Sequence, residues 1–116
     1  MRYLMLVCVD PDHTEADRAA APEIDEWVDQ TTNDGTRVMG ERLRPTRDAR
    51  TVRVRGGEVL VTDGPFTESK EWIAGFDVLE CADLDAAVAI AARHPMAYAG
   101  RIEVRAFWSD EEDAAQ

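Results

Sequence analysis

The chain has 116 residues, 45% hydrophobic and 32% charged, which suits one globular domain and leaves no room for two independent cores. With 24 acidic against 13 basic side chains the net charge is −11, so long-range electrostatics repel a phosphate backbone and an anionic membrane alike. The longest apolar run, Tyr3 to Val9, falls far short of the ~20 residues that span a bilayer, and no basic region with an apolar core resembles a signal peptide.

Tyr3 to Val9 reads as a strand with Tyr3, Met5, Val7 and Val9 on one side and Leu4, Leu6 and Cys8 on the other. Both sides are apolar, so both need cover, which places the strand in the interior of a sheet. From Asp10 to Asp34 there are nine acidic residues and one basic, Arg18. Within this stretch Thr14 to Ala20 is expected to form a helical turn broken by Pro22. A second helix follows, with Pro22 as its first residue, acids near its positive end, Ile24, Trp27 and Val28 as its buried stripe, and Gly35 at its end.

From Arg37 to Arg55 the charge reverses, with seven arginines against Glu41 and Asp48. Arg42 and Arg44, two apart on a strand, share a face. Gly56-Gly57 supplies the two positive-φ positions of a tight hairpin turn. Register follows: Arg55 opposite Glu58, Val54 opposite Val59, Arg53 opposite Leu60 and Val52 opposite Val61, with four valines on one face. Ile73 to Cys81 is a further strand, with Phe76 and Val78 on one face and Gly75, Asp77 and Leu79 on the other. Asp83 caps a helix carrying Leu84, Ala87, Val88 and Ala91, which Pro95 stops near His94. The last strand, Arg101 to Trp108, turns Ile102, Val104, Ala106 and Trp108 inward.

The order strand, helix, strand, hairpin, strand, helix, strand is an α+β, ferredoxin-like sandwich with an inserted β-hairpin. It is expected to occupy residues 1–109 as one domain, followed by an acidic tail over 110–116. Two helices cover one face of such a sheet, so a second copy is expected on the other, making a homodimer. Cys8 and Cys81 lie in apolar segments without metal-ligand spacing, in keeping with reduced thiols and a cytoplasmic location.

The run Val61-Thr62-Asp63-Gly64-Pro65-Phe66-Thr67-Glu68-Ser69-Lys70-Glu71, preceded by Gly40-Glu41-Arg42-Leu43-Arg44-Pro45, resembles the signature of the YCII-related proteins, in particular their DGPF branch. The likeness continues through Gly75-Phe76 and Asp83 to Ala87, and ends at Gly100 and Ile102-Glu103-Val104-Arg105, covering roughly residues 2 to 107. The resemblance implies a ferredoxin-like subunit pairing as in the dimeric α+β barrel superfamily. Members of the branch are largely uncharacterised, and some are encoded beside or fused to sigma factors of the extracytoplasmic-function type. Related YCII proteins have been suggested to be small-molecule enzymes using His and Asp.

Asp63 has two readings: a general acid or base if a cleft desolvates it, or a turn residue, since Asp-Gly-Pro after a strand is good turn chemistry. His94 ends a helix, where its protonated form is favoured and its pKa is expected to rise, and a His94–Asp63 pair depends on the fold to join them. Arg42 and Arg44 are candidates for an anionic substrate or, equally, a solvated strand face. Gly64, Pro65, Phe66, Glu68 and Lys70 surround the turn as further candidates for substrate contact. Cys and His spacing supports no metal site, and no Gly-rich phosphate loop supports a nucleotide, so no cofactor is expected. Two functions fit these residues. One is a cofactor-free isomerase- or lyase-like enzyme moving a proton on a small polar or aromatic molecule. The other is a non-catalytic ligand-binding or accessory module that meets a sigma-factor-type protein.

Overall fold

The computed structural model describes residues 1–64 and 72–109. Strands β1 (Arg2–Val9), β2 (Arg37–Arg42), β5 (Trp72–Glu80) and β6 (Arg101–Ala106) form one sheet in the order β2-β5-β1-β6, antiparallel at every pairing. This is the ferredoxin-like α+β arrangement expected from the sequence. Each half sends its chain over a helix and back into the sheet one strand further on, with the other half's strand between.

The helices are set by local chemistry. Helix α1 (Glu15–Ala20) opens on a capping box: the Thr14 hydroxyl accepts from the Asp17 N–H at 3.0 Å, and the Thr14 N–H donates to the Asp17 carboxylate at 2.9 Å. Helix α2 (Ile24–Asn33) is capped by Glu23, so Pro22 lies before the cap rather than at the first helical position. Its buried residues are Trp27 and Thr31, whereas Ile24, expected inside, is exposed. Helix α3 (Leu84–Ala91) starts at Asp83, whose carboxylate accepts the Ala86 N–H at 2.8 Å. A short α4 (Met96–Ala99) leads into β6.

Directly paired residues in an antiparallel sheet share a face. Tyr3, Met5 and Val7 on β1 therefore lie with Leu79, Asp77 and Gly75 on β5, under the helices. Tyr3, Met5 and Leu79 join Trp27, Ala87, Ile90 and Ala91 in the core, and the Trp27 indole N–H donates to the Ile90 carbonyl at 3.0 Å, tying α2 to α3. The β1–β5 register shifts between Val7 and Cys8, where Ala74 is the extra residue on β5; Cys8 is buried, and Val9, at the strand end, is exposed. On the other face Leu4, Leu6, Phe76 and Val78 are half-buried and Met39 is exposed. The sheet's second side is thus apolar at its centre and carries no helix among the described residues.

Strands β3 (Arg50–Arg55) and β4 (Glu58–Asp63) form a separate hairpin whose register is the expected one at every pair from Arg55–Glu58 to Val52–Val61. Gly56 and Gly57 have φ of +58° and +78°. Val52, Val54, Val59 and Val61 share a face and are 55–63% exposed. At the other end of the chain β6 stops at Ala106, and Trp108, expected inward, is exposed because the ladder that would orient it has ended. Cys8 and Cys81 are not joined by a disulfide. Among the described residues no helix is long and apolar enough to cross a membrane, and no three His, Cys, Asp or Glu residues are placed to hold a metal ion.

Candidate functional site

On β5 the strand alternation aims Asp77 at the helix layer, among Leu79, Gly75 and Met5. An acid there needs a partner, and β2 provides it. The Arg37 Nε donates to Asp77 Oδ1 at 2.8 Å, and its Nη2 donates to the Gly40 carbonyl at 3.1 Å. Gly40 lies directly opposite Asp77, and a Cβ built on it would overlap Asp77 Oδ1 and stand 2.7 Å from Arg37 Nη2. The ion pair occupies the space of the missing side chain. Asp77 is 6% exposed, and burial raises its pKa above the usual carboxylate value, with the Arg37 contact pulling the other way.

His94 approaches from the opposite layer. It follows α3, is 5% exposed, and stands edge-on to Trp27 with ring centroids 4.7 Å apart. The Met96 N–H donates to His94 Nδ1 at 3.0 Å, so the ring's proton sits on Nε2. Burial lowers the His94 pKa from 6.5 to about 4. This reverses the rise expected from a helix C-terminus, because loss of hydration under Trp27 outweighs the dipole. The imidazole is neutral at physiological pH.

Asp77 and His94 both line a cavity of about 660 Å³ between the sheet and the helices. Val7, Gly40, Arg42 and Gly75 form its sheet side, and Ile24, Trp27, Val28 and Met96 its helical side. The exposure of Ile24 is explained here, since it forms part of the cavity wall. Among the described residues Asp77 Oδ2 and His94 Nε2 take no part in hydrogen bonds, and no fully buried side-chain N or O lacks a partner. Both atoms therefore keep some exposure, on residues that line the cavity. One offers a carboxylate oxygen as acceptor, the other an N–H as donor.

The residues singled out from the sequence fall in three places. Arg42 lines this cavity and an adjoining one of about 520 Å³. Arg44 lines only the second: β2 ends at Arg42, so the two arginines do not share a strand face, and Arg44 pairs instead with Asp48 at 3.0 Å. Asp63, the last residue of β4, has a side chain 88% exposed and pairs with Arg50 at 3.1 Å. It does not line the cavity that His94 lines, so the two are not brought together within one chain. Gly64 has φ +87°, donates its N–H to the Ala49 carbonyl at 2.8 Å and accepts from the Thr51 hydroxyl at 2.8 Å, as a turn residue does. Pro65, Phe66, Glu68 and Lys70 lie outside the described residues.

Asp77, Arg37 and Gly40 were missed as a group. Two signals pointed to them: an acid alone on the inward face of an apolar strand, and a glycine inside a strand, which marks close approach.

The sequence matches the YCII-related domain over residues 1–109. An uncharacterized protein of Rhizobium meliloti (strain 1021) is 51% identical over 47 residues, an alignment spanning 40% of this chain and 38% of that protein. The family match takes in every strand and helix described above, from β1 through β6, together with all the residues lining both cavities: the chain belongs to the YCII-related family.

Proposed function

We propose that the chain is a cofactor-independent enzyme that moves a proton on a small carbonyl compound, an isomerase- or lyase-type reaction. The observation that carries this reading is the one cavity shared by an open carboxylate oxygen on Asp77 and an open N–H on a neutral His94. Its volume of about 660 Å³ lies within the usual range for small-molecule sites. Asp77 Oδ2 takes a proton from the carbon beside the carbonyl. The C–H electrons form a carbon–carbon double bond, and the carbonyl oxygen, gaining negative charge, is held by the His94 Nε2–H. A neutral imidazole suits this task, since it stabilises the oxygen without protonating the substrate beforehand. Return of the proton to a different atom completes an isomerisation, and departure of a neighbouring group completes an elimination. Burial raises the basicity of Asp77, while Arg37 fixes its orientation.

In this reading acid–base work belongs to Asp77 and His94, and Asp63 ties the hairpin end to Arg50. The test is exchange of the C3 hydrogens of phenylpyruvate with D2O, followed by proton NMR. The wild type accelerates exchange, and Asp77→Asn lowers the rate by roughly 100-fold or more. Equal rates in wild type and Asp77→Asn would overturn the assignment.

The half-buried Leu4, Leu6, Phe76 and Val78 support a homodimer in which a second copy covers the open face of the sheet, as the dimeric α+β barrel resemblance implies. Membership of the DGPF branch rests on Asp63-Gly64-Pro65-Phe66 and the ordered motifs around it, and a cytoplasmic location on two cysteines that form no disulfide. The exposed valine face of the hairpin favours a second reading, an accessory module docking on a sigma-factor-type protein. Binding to a purified extracytoplasmic-function sigma factor that disappears in Val54→Lys/Val61→Lys would support it, and failure of the wild type to bind would remove it.

A further inference from the structure

We infer that the compound taken by this cavity carries a carboxylate, that Arg42 binds it, and that the substrate class is therefore the small 2-oxo acids. The inference rests on the proton-transfer reading for the carbonyl end of the molecule, and on Arg42 alone for the acid end.

Three arginines line the two cavities, and two of them are committed. Arg37 is held by Asp77 and the Gly40 carbonyl, and Arg44 by Asp48. Among the described residues Arg42 has no ion pair or side-chain hydrogen bond. It pairs with Gly75 across the sheet, so it lies on the helix side of β2 with Gly40 and Asp77, whereas Glu41 pairs with Phe76 and lies on the far side. Arg42, Val9 and Ala74 are common to both cavities, so Arg42 stands where they adjoin.

Among the described residues Arg2, Arg44, Arg50 and Arg101 each meet an acid, whereas Arg42, like Arg47, Arg53 and Arg105, has no ion pair; what sets Arg42 apart is its place in the lining of both cavities. Asp77 and Arg37 neutralise each other, and Glu41, although it is part of the lining, belongs to the opposite face of β2 and meets Gly75 through its backbone, which leaves Arg42 to set the sign of the ligand. Its planar fork matches a carboxylate through two parallel N–H···O bonds. A carboxylate so held directs the adjoining ketone into the space between Asp77 on the sheet and His94 on the helical side. The apolar remainder lies against Val7, Trp27 and Val28. A phosphate dianion would need more donors than the single uncommitted cation that lines the cavities among the described residues.

Isothermal calorimetry with phenylpyruvate, its methyl ester and phenyl phosphate tests the inference. The acid is expected to bind the wild type roughly tenfold or more tightly than the ester or the phosphate. Arg42→Gln removes that preference, Arg42→Lys restores part of it, and Arg44→Gln leaves it intact. Equal binding of acid and ester, tighter binding of phenyl phosphate, a preference that survives Arg42→Gln, or no binding of millimolar acid each overturns it. The catalytic reading fails separately. If the acid preference depends on Arg42 but no variant alters C3 exchange, the carboxylate site stands and the proton-transfer assignment falls.

Discussion

Acidification should unfold this protein partly through His94. Its pKa falls from 6.5 to about 4 on burial, so between those values the unfolded chain binds a proton that the folded chain refuses. Stability from this group is complete above pH 6.5 and is lost as pH falls toward 4. The loss comes to about 2 kcal/mol by pH 5 and about 3 kcal/mol by pH 4. Asp77 works in the opposite sense, since its raised pKa lets the folded chain take up a proton first; Asp10, Asp17 and Asp34, with lowered values, lose stability on acidification. A comparison that changes only His94 cancels these contributions. In His94→Asn the shorter side chain retains an acceptor for the Met96 N–H but has no titration in this range. Losing the ring against Trp27 costs about 2 kcal/mol at pH 7. Urea unfolding from pH 7.5 to 4.5 should show the wild type ahead by that amount at neutral pH and level with the variant near pH 5. Two parallel pH profiles would refute the burial argument, as would an NMR titration of the His94 ring centred near 6.5.

Three further outcomes follow from the structure. Gly40→Ala forces Asp77 and Arg37 apart; their side chains are 9% and 21% exposed, so urea unfolding should register a loss of about 2–3 kcal/mol, and a loss under ~1 kcal/mol would show that the pair can be displaced cheaply. Asp83→Ala, which strips the acceptor from the Ala86 N–H, should cost about 1 kcal/mol by the same measurement, with Asp83→Ser close to wild type. Light scattering should give a dimer mass for the wild type and a monomer mass for Leu6→Lys/Val78→Lys; a monomeric wild type would contradict the covered-face reading.

The hairpin was legible to the residue because its determinants are adjacent: two glycines fix the turn and the turn fixes every pair beyond it. The Asp83 cap and the α+β order were legible for the same reason, short-range signals agreeing with hydrophobic period. What escaped is tertiary. Asp77 acquires its meaning from Arg37, 40 positions away in the chain, and from the side chain that Gly40 lacks. His94 looked like a cation because its neighbours in sequence favour one, yet the neighbour that decides its charge is Trp27. Trp108 looked buried because alternation carries on past the point where pairing stops. Asp63 attracted attention through its motif, and its surroundings make it a surface residue.

The division of the cavity between two layers has its own consequence. Its charged furniture, Arg37, Asp77 and Arg42, is bolted to hydrogen-bonded strands, whereas most of its greasy wall hangs from helices. Ile24 and Val28 can thus change bulk without disturbing a single ladder contact, while any side chain at position 40 displaces the Asp77–Arg37 pair. Selection acting on such a scaffold would find new molecular shapes easy to reach and a new reaction hard to reach.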